Sequence, residues 1–214
     1  MNTLTRRSFA MATALVATAG LAACSSDDDA VPSPAETATP PAVTAAADPA
    51  LAGLVGPDCA AYVAEVPKGA GSVAGMSNAT LVAAASKNPL LGTLTKAISG
   101  KLNKKVNLTD TLNGGVYTVF APVDSAFAKL PATTLAKLKT DSSLLVKVLT
   151  YHVVAGQLSP AKVVGKQKTV EGGDVTVAGS AAALTVNGAH VVCGGIKTAN
   201  ATVYLIDTVL TPPK

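Results

Sequence analysis

Tryptophan is absent from this chain, and phenylalanine and tyrosine together make up only 3% of its residues. Arginine occurs only at Arg6 and Arg7. From Ala52 onward, 15 lysines outnumber eight acidic residues, which gives this part of the chain a net charge of +7. Nucleic-acid recognition relies largely on guanidinium forks and stacking aromatics. The basic balance therefore predicts solubility and a modest attraction to anionic surfaces or polymers, without nucleic acid as a partner.

Residues that catalyse reactions or bind metals are also scarce. The sequence has no Gly-x-Ser-x-Gly elbow, and its two histidines, His152 and His190, have no readable catalytic partner. Together with Cys59 and Cys193 they form no zinc-binding spacing. The run Asp27–Asp29 favours a solvated acidic segment over a calcium site, because calcium needs six or more converging oxygens. The sequence therefore predicts a protein that is not an enzyme and has neither a metal site nor a cofactor.

Long apolar runs are missing as well, and a membrane-spanning helix needs about 20 such residues. The amino-terminal run from Ser8 to Ala23 has 16 residues, follows two arginines and ends in small residues, which is typical of a cleaved export signal. Leu21-Ala22-Ala23-Cys24 resembles a bacterial lipobox, in which the cysteine is acylated. We predict a lipoprotein signal peptide at residues 1–23 and lipid attachment at Cys24, with a chance cysteine as the alternative. Export by the general or the twin-arginine route stays open.

Residues 24–50 differ in composition from the rest of the chain. They are rich in alanine, threonine and proline, and they contain five acidic residues and no basic one. Such a segment cannot bury enough apolar surface to fold, so we predict a disordered tether that starts at Cys24. The remaining residues, 51–214, have the length of one domain with a single core. The expected location is extracytoplasmic, anchored by lipid to the bacterial membrane or cell surface, with partial secretion left open.

Helices are predicted in the first part of this domain, around a buried strand from Gly115 to Phe120. Residues that commonly cap helices precede several apolar stretches of helical period. The expected caps, in chain order, are Ser77 or Asn78, Asn88 before Pro89, Asp124, and Ser142 or Ser143.

In the last third of the chain the apolar period changes to two, which is typical of strands. Val170, Val175 and Val177 are expected in strands around a Gly-Gly turn. Asn187-Gly188 predicts a hairpin. Val203 to Val209 predicts a central strand that is buried on both faces.

Three stretches carry a family resemblance: Tyr117–Phe127 (YTVFAPVDSAF), Tyr151–Val154 (YHVV) and Val203–Pro213 (VYLIDTVLTPP). In this order they resemble the signature motifs of the fasciclin (FAS1) domain. The resemblance covers roughly residues 51–214 and extends to the secreted and lipid-anchored fasciclin antigens of mycobacteria, which share the Val-Val-Cys-Gly-Gly and Asn-Ala-Thr-Val-Tyr runs. It implies an α+β fold, a single β-wedge of two sheets flanked by several α-helices. A monomer is expected.

Two cysteines remain once Cys24 is assigned to lipid. An exported protein meets an oxidising compartment, so Cys59 and Cys193 are predicted to form a disulfide, with two free cysteines as the alternative. The resemblance supports the bond, because a similar pair is bridged in the antigen-like relatives.

The resemblance also points to candidate interaction residues. The family's Tyr-His motif, here Tyr151 and His152, is linked to receptor binding, and the alternative is that the pair supports the core at the junction of sheet and helix. The family's last motif commonly has a histidine near the Ile-Asp pair, where this chain has Tyr204. Asp207 is therefore expected to end a strand or accept backbone hydrogen bonds, with receptor contact as the weaker alternative.

The function implied by the resemblance is not catalytic. We expect a cell-surface lipoprotein that mediates adhesion, or that binds host or matrix proteins or envelope polysaccharide. The main alternative is a carrier or sensor of an apolar envelope lipid held in a groove of the domain. A structural spacer in the envelope is a third interpretation. The sequence does not identify the ligand.

Overall fold

The computed structural model describes residues 52–213, so the predicted signal peptide, Cys24 and the tether lie outside the described residues. In chain order the helices are α1 (Cys59–Glu65), α2 (Val73–Ser77), α3 (Leu81–Lys87), α4 (Gly92–Ile98), α5 (Thr109–Gly114), α6 (Asp124–Ala128), α7 (Ala132–Thr140), α8 (Ser142–Tyr151) and α9 (Pro160–Val163), with a 3-10 turn at Pro89–Leu91 before α4. The strands are β1 (Tyr117–Pro122), β2 (Val153–Ala155), β3 (Gly165–Lys168), β4 (Asp174–Ala178), β5 (Thr185–Val186), β6 (Ala189–Lys197) and β7 (Ala201–Ile206).

The seven strands hydrogen-bond in the order β2-β1-β7-β6-β5-β4-β3. Strand β1 runs parallel to β7, whereas the other neighbouring pairs are antiparallel. Strand β6 pairs with β5 at its start and with β7 along the rest of its length. It therefore joins the two predicted sheets into one hydrogen-bonded series of seven strands. The predicted α+β fold class is confirmed.

The central strands β1 and β7 are buried on both faces because their side chains alternate between two apolar clusters. Val119 and Val203 face the cluster that contains most of the helices. Phe120 and Tyr204 face the second cluster, beneath β4 to β6. These two aromatic residues are partners in the β1–β7 register, and their ring centroids lie 5.8 Å apart. All six residues of β7 are buried, as its apolar sequence predicts, although the strand ends at Ile206 rather than Val209.

The predicted hairpin is present between β5 and β6. Asn187 and Gly188 have φ angles of +48° and +84°, which a two-residue type I′ turn requires. The Asn187 side chain accepts a hydrogen bond from the Thr176 N–H at 2.8 Å, so the turn is also fixed to β4. The Asn-Gly dipeptide was therefore a reliable signal for this turn.

Three of the predicted helix caps are wrong, and each has a structural reason. Helix α3 begins at Leu81, well after Ser77, and the Leu81 N–H donates to the side chain of Asn200 at 2.9 Å. Asp124 is the first residue of α6 and caps α4 instead, because its carboxylate accepts from the Thr93 N–H at 2.7 Å.

The third wrong cap lies at the start of α8. Asp141 holds the cap position there, and its carboxylate accepts from the Leu144 N–H at 3.0 Å. Ser142 is already the first helical residue. The prediction for Asn88 is correct, since its side chain accepts from the Leu90 N–H at 3.0 Å.

The segment after β3 connects the two ends of the strand series. Thr169 forms an isolated antiparallel bridge with Val154 of β2, and the Val170 N–H donates to the Val153 carbonyl at 2.7 Å. The prediction that Val170 lies in a strand is wrong. Its backbone N–H bonds to β2, but the residue lies in a turn and remains 47% exposed.

Candidate functional site

The Tyr-His pair lies where α8 ends and β2 begins. The Tyr151 hydroxyl donates to the Asp174 carbonyl at 2.9 Å and accepts from the Asn187 side-chain amide at 3.0 Å. The ring itself is only 2% exposed. Tyr151 thus ties the end of α8 to β4 and to the β5–β6 turn.

Both ring nitrogens of His152 are within hydrogen-bond distance of backbone groups. Its Nδ1 lies 2.7 Å from the Val148 carbonyl, and its Nε2 lies 3.0 Å from the Leu210 N–H. Because the Leu210 amide can only donate, Nε2 must accept, and the proton of the neutral ring therefore sits on Nδ1. Burial lowers the pKa of His152 from 6.5 to about 4, although the Val148 carbonyl partly opposes this shift.

The geometry of Tyr151 and His152 supports the structural alternative for this pair. His152 is 3% exposed, and it connects the end of α8 to the carboxy-terminal segment at Leu210. Direct receptor contact would require this segment to move away. The interaction role of the pair therefore stays a prediction.

Asp207 follows the end of β7 and is engaged in several bonds. One carboxylate oxygen lies 2.9 Å from the Lys129 ammonium, and the other accepts from the His190 N–H at 2.9 Å and from the Thr208 hydroxyl at 3.0 Å. Burial alone would raise the pKa of Asp207, but these hydrogen bonds and the Lys129 charge hold it below its ordinary value. The side chain joins α6 to the β6–β7 pair, as expected for a residue at a strand end.

A disulfide joins Cys59 at the start of α1 to Cys193 in β6, 134 residues later in the chain. The bond predicted from the sequence is therefore present. Backbone bonds lie beside it, because the Val55 N–H donates to Gly194 and the Asp58 N–H donates to Val192. The start of the domain is thus fixed to the sheet both covalently and by hydrogen bonds.

Asn200 is a structural residue that sequence reasoning missed. Its side-chain amide donates to the carbonyls of Leu112 and Gly115 at 2.8 and 2.9 Å, while its oxygen accepts from the Leu81 N–H. It thereby connects α3, α5 and the approach to β1. The Asn-Ala-Thr-Val-Tyr run contains this residue, but no local pattern indicates its distant partners.

An apolar cavity of about 50 Å³ lies between α3, α4 and α5 on one side and β1, β7 and the end of α8 on the other. Aliphatic side chains form most of its lining, among them Met76, Leu94, Leu112 and Val203. The exposed side chain of Val170 also borders it. We refer to this space as the apolar cavity.

The last turn of α4 and the connection to α5 carry the densest group of lysines in the described part of the chain. Lys96, Lys101, Lys104 and Lys105 fall within ten residues, and all four side chains are exposed. The ion pairs found among residues 52–213 join Lys129 to Asp207 and Lys147 to Glu171, and neither involves this group. We call these four residues the lysine loop.

Histidine, cysteine, aspartate and glutamate side chains within residues 52–213 nowhere form a group of three able to hold a metal ion. A search of the same residues for a helix with the length and apolar character of a membrane span finds none.

The strand order, the buried Tyr-His pair and the closing strand define the class of this protein. The family model described as Fasciclin domain matches residues 93–212, which is more than half of the chain. The chain therefore belongs to the fasciclin domain family. A solved FAS1 domain pair from the insect cell adhesion molecule fasciclin I shares the fold, with a TM-score of 0.54 and 18% identity over 64% of this chain and 52% of that one.

Curated relatives narrow the class further. The chain is 55% identical to the cell surface glycolipoprotein MPT83 of Mycobacterium tuberculosis over 218 residues, covering 100% of this chain and 99% of the relative. It is equally similar to MPB83 of Mycobacterium bovis. The immunogenic protein MPB70 of Mycobacterium bovis is 61% identical over 170 residues, or 79% of this chain and 88% of the relative. This kinship agrees with the extracytoplasmic, lipid-anchored location predicted from the amino terminus.

Proposed function

We propose that this chain is a non-catalytic surface lipoprotein whose fasciclin domain mediates adhesion by binding anionic partners, such as acidic matrix proteins or polysaccharide. Family membership supports a binding role, since the fold is shared with an insect cell adhesion molecule. The names of the relatives support action at the cell surface. Acylation of Cys24 would keep the domain there, because two or more acyl chains give stable membrane attachment.

The observation that carries this proposal is the lysine loop. Its four ammonium groups are exposed within ten residues, and no carboxylate of the described residues pairs with them. Exposed charges of one sign attract polymers of the opposite sign over about 8 Å at physiological salt. Each contact is weak, but many anchored copies on one surface can act together, so modest affinity suffices.

Binding to an immobilised sulfated polysaccharide tests the proposal. The probe is heparin, with neutral dextran as the reference surface, and the protein is the full chain carrying Cys24→Ser so that no acyl chain interferes. Replacing the four residues of the lysine loop by glutamine should weaken heparin binding by about tenfold or more. The matched control replaces four other exposed lysines, Lys137, Lys139, Lys166 and Lys168. Equal loss in both variants would show that only net charge matters and would refute a role for the loop.

A second function is favoured by the apolar cavity, namely carriage or sensing of an apolar envelope molecule. An aliphatic cavity binds apolar groups readily, since such a lining makes no demand for hydrogen bonds. Native mass spectrometry of the protein extracted with its envelope tests this function. A stoichiometric adduct beyond the mass of the Cys24 anchor would support it, and a clean mass would count against it.

A further inference from the structure

A shallow cleft of about 560 Å³ lies directly beside the apolar cavity. The two spaces share Thr150 of α8 and Val170. Its remaining lining residues are Lys105, Ser142, Ser143, Val146, Lys147 and Glu171. A polar cleft and an apolar cavity thus meet at one exposed valine.

The cleft presents mainly hydrogen-bond donors. The residues contributed by α8 recur every three or four positions, so they lie on one face of that helix. The ammonium groups of Lys105 and Lys147 and the hydroxyls of Ser142 and Ser143 can all donate to an anion. The carboxylate of Glu171 lies 3.5 Å from the Lys147 ammonium and accepts from the Gly173 N–H at 3.0 Å. One carboxylate against two ammonium groups leaves the cleft with a net positive charge.

We propose that this cleft binds the anionic head of a small amphiphile of the alkyl phosphate type, whose apolar end enters the cavity beside Val170. The proposal rests on the second function above, the binding of an apolar molecule. Charge complementarity selects the head, because a neutral head would leave the Lys105 ammonium unpaired among the described residues and the net positive charge of the cleft unbalanced. The aliphatic lining selects the tail.

The volume of the cavity limits how much of the tail is enclosed. About 50 Å³ holds one or two groups the size of a water molecule, at about 30 Å³ each. Affinity should therefore rise about fourfold for each of the first enclosed methylenes and then level off as the chain lengthens. A longer tail would need Met76 or the surrounding leucines to change rotamer, which the flexible methionine allows most easily.

Isothermal titration with four probes tests the proposal: inorganic phosphate, ethyl phosphate, hexyl phosphate and hexanol. The protein is again the full chain with Cys24→Ser. Hexyl phosphate should bind at least about tenfold more tightly than inorganic phosphate, since about two enclosed methylenes give that factor. It should also bind more tightly than hexanol, because only the phosphate head meets the positive charge of the cleft.

Two variants separate the head from the tail. Lys105→Gln with Lys147→Gln should reduce hexyl phosphate affinity to that of hexanol and leave hexanol binding unchanged. The matched control is Lys137→Gln with Lys139→Gln, which removes the same charge from the exposed face of α7. Ala85→Leu adds volume to the lining of the cavity and should reduce hexyl phosphate affinity to that of inorganic phosphate. If that variant does not fold, the position of the tail can be measured in the protein without Ala85→Leu. Hexyl phosphate should then shift the methyl NMR signals of Leu112, Val170 and Val203.

The outcomes distinguish failure of the head-group site from failure of the apolar function on which it rests. Inorganic phosphate that binds as tightly as hexyl phosphate overturns the amphiphile and indicates a site for free anions. If hexanol binds, and if hexyl phosphate binds equally well without Lys105 and Lys147, the head-group site is overturned. The apolar function would still stand. Absence of binding by both hexyl phosphate and hexanol overturns the apolar function and the head-group site together. Methyl shifts confined to residues outside the cavity overturn the proposed position of the tail.

Discussion

Acidification should destabilise this domain through His152. The fold holds this imidazole in its neutral form, since Nε2 accepts from the Leu210 N–H and Nδ1–H donates to the Val148 carbonyl. A proton added to Nε2 would face the amide hydrogen of Leu210, so that two donors oppose each other in a buried place. Acid should therefore break the link between α8 and the carboxy-terminal segment.

The direction and size of this effect follow from the two pKa values. The unfolded chain takes up the proton near pH 6.5, whereas burial lowers the pKa of folded His152 to about 4. Between these values the unfolded state binds more protons, so the stabilisation is complete above pH 6.5 and is lost as the pH falls toward 4. Each pH unit corresponds to 1.36 kcal/mol, which gives a loss of about 2.5 kcal/mol between pH 7 and 4.5.

Urea unfolding followed by circular dichroism at several pH values measures this loss, and thermal midpoints should fall by about 5–10 °C over the same range. Replacing His152 with glutamine keeps an acceptor for Leu210 without a titrating group, so the pH dependence should flatten between pH 7 and 4.5. The exposed His190 provides the matched control, because His190→Gln should retain the slope of the unmodified chain. Asp207 has a lowered pKa, so its contribution is lost below this window. Parallel pH dependence of the unmodified chain and His152→Gln would refute the reasoning.

Three further predictions concern stability. Replacing Cys59 and Cys193 together by serine should lower the free energy of unfolding by about 2–4 kcal/mol, because the unfolded chain is no longer closed into a loop; an unchanged urea midpoint would contradict this. Asp124→Ala should cost about 1 kcal/mol by removing the cap of α4, whereas Ser125→Ala on the exposed side of α6 should stay within about 0.5 kcal/mol in the same thermal melts. Asn187→Ala should destabilise the hairpin by about 1 kcal/mol more than Asn187→Gly, since both lose the side-chain bonds but only glycine accepts the positive φ without strain; equal urea midpoints would rule out a backbone effect.

Local signals in the sequence identified the elements whose geometry depends on a few adjacent residues. Asn187-Gly188 predicted its hairpin because few other residue pairs tolerate two positive φ angles. The apolar run of β7 predicted burial on both faces, since such a run has no polar side for solvent. Two of the wrong caps have a tertiary cause, whereas at α8 the neighbouring Asp141 simply takes the position expected for Ser142 or Ser143. Asp124 is a good capping residue, but the N–H it binds belongs to a helix 31 positions earlier.

Features that depend on distant contacts had no such signal. The parallel pairing of β1 with β7 joins segments more than 80 residues apart, and neither strand's sequence specifies its partner. The family resemblance supplied the general architecture, a β-wedge of two sheets flanked by helices, but not this pairing. The candidate sites differ in the same way: the lysine loop is visible as a run of charge, whereas the cleft arises only when Lys105 and Lys147 are brought to one side of α8. Periodicity reports which residues are buried, but it does not report which cavities they enclose.

The disulfide determines how the domain would bear a mechanical load. Tension that arrives along the chain from residue 52 reaches Cys59 and passes through a covalent bond into β6, near the middle of the strand series. The load therefore bypasses most of the polypeptide, and the helices from α2 to α9 are not in the direct line of pull. A surface protein dragged by flow or by a moving neighbour would keep its fold at forces that peel apart a domain held only by packing. In the reduced state the same pull would first detach α1.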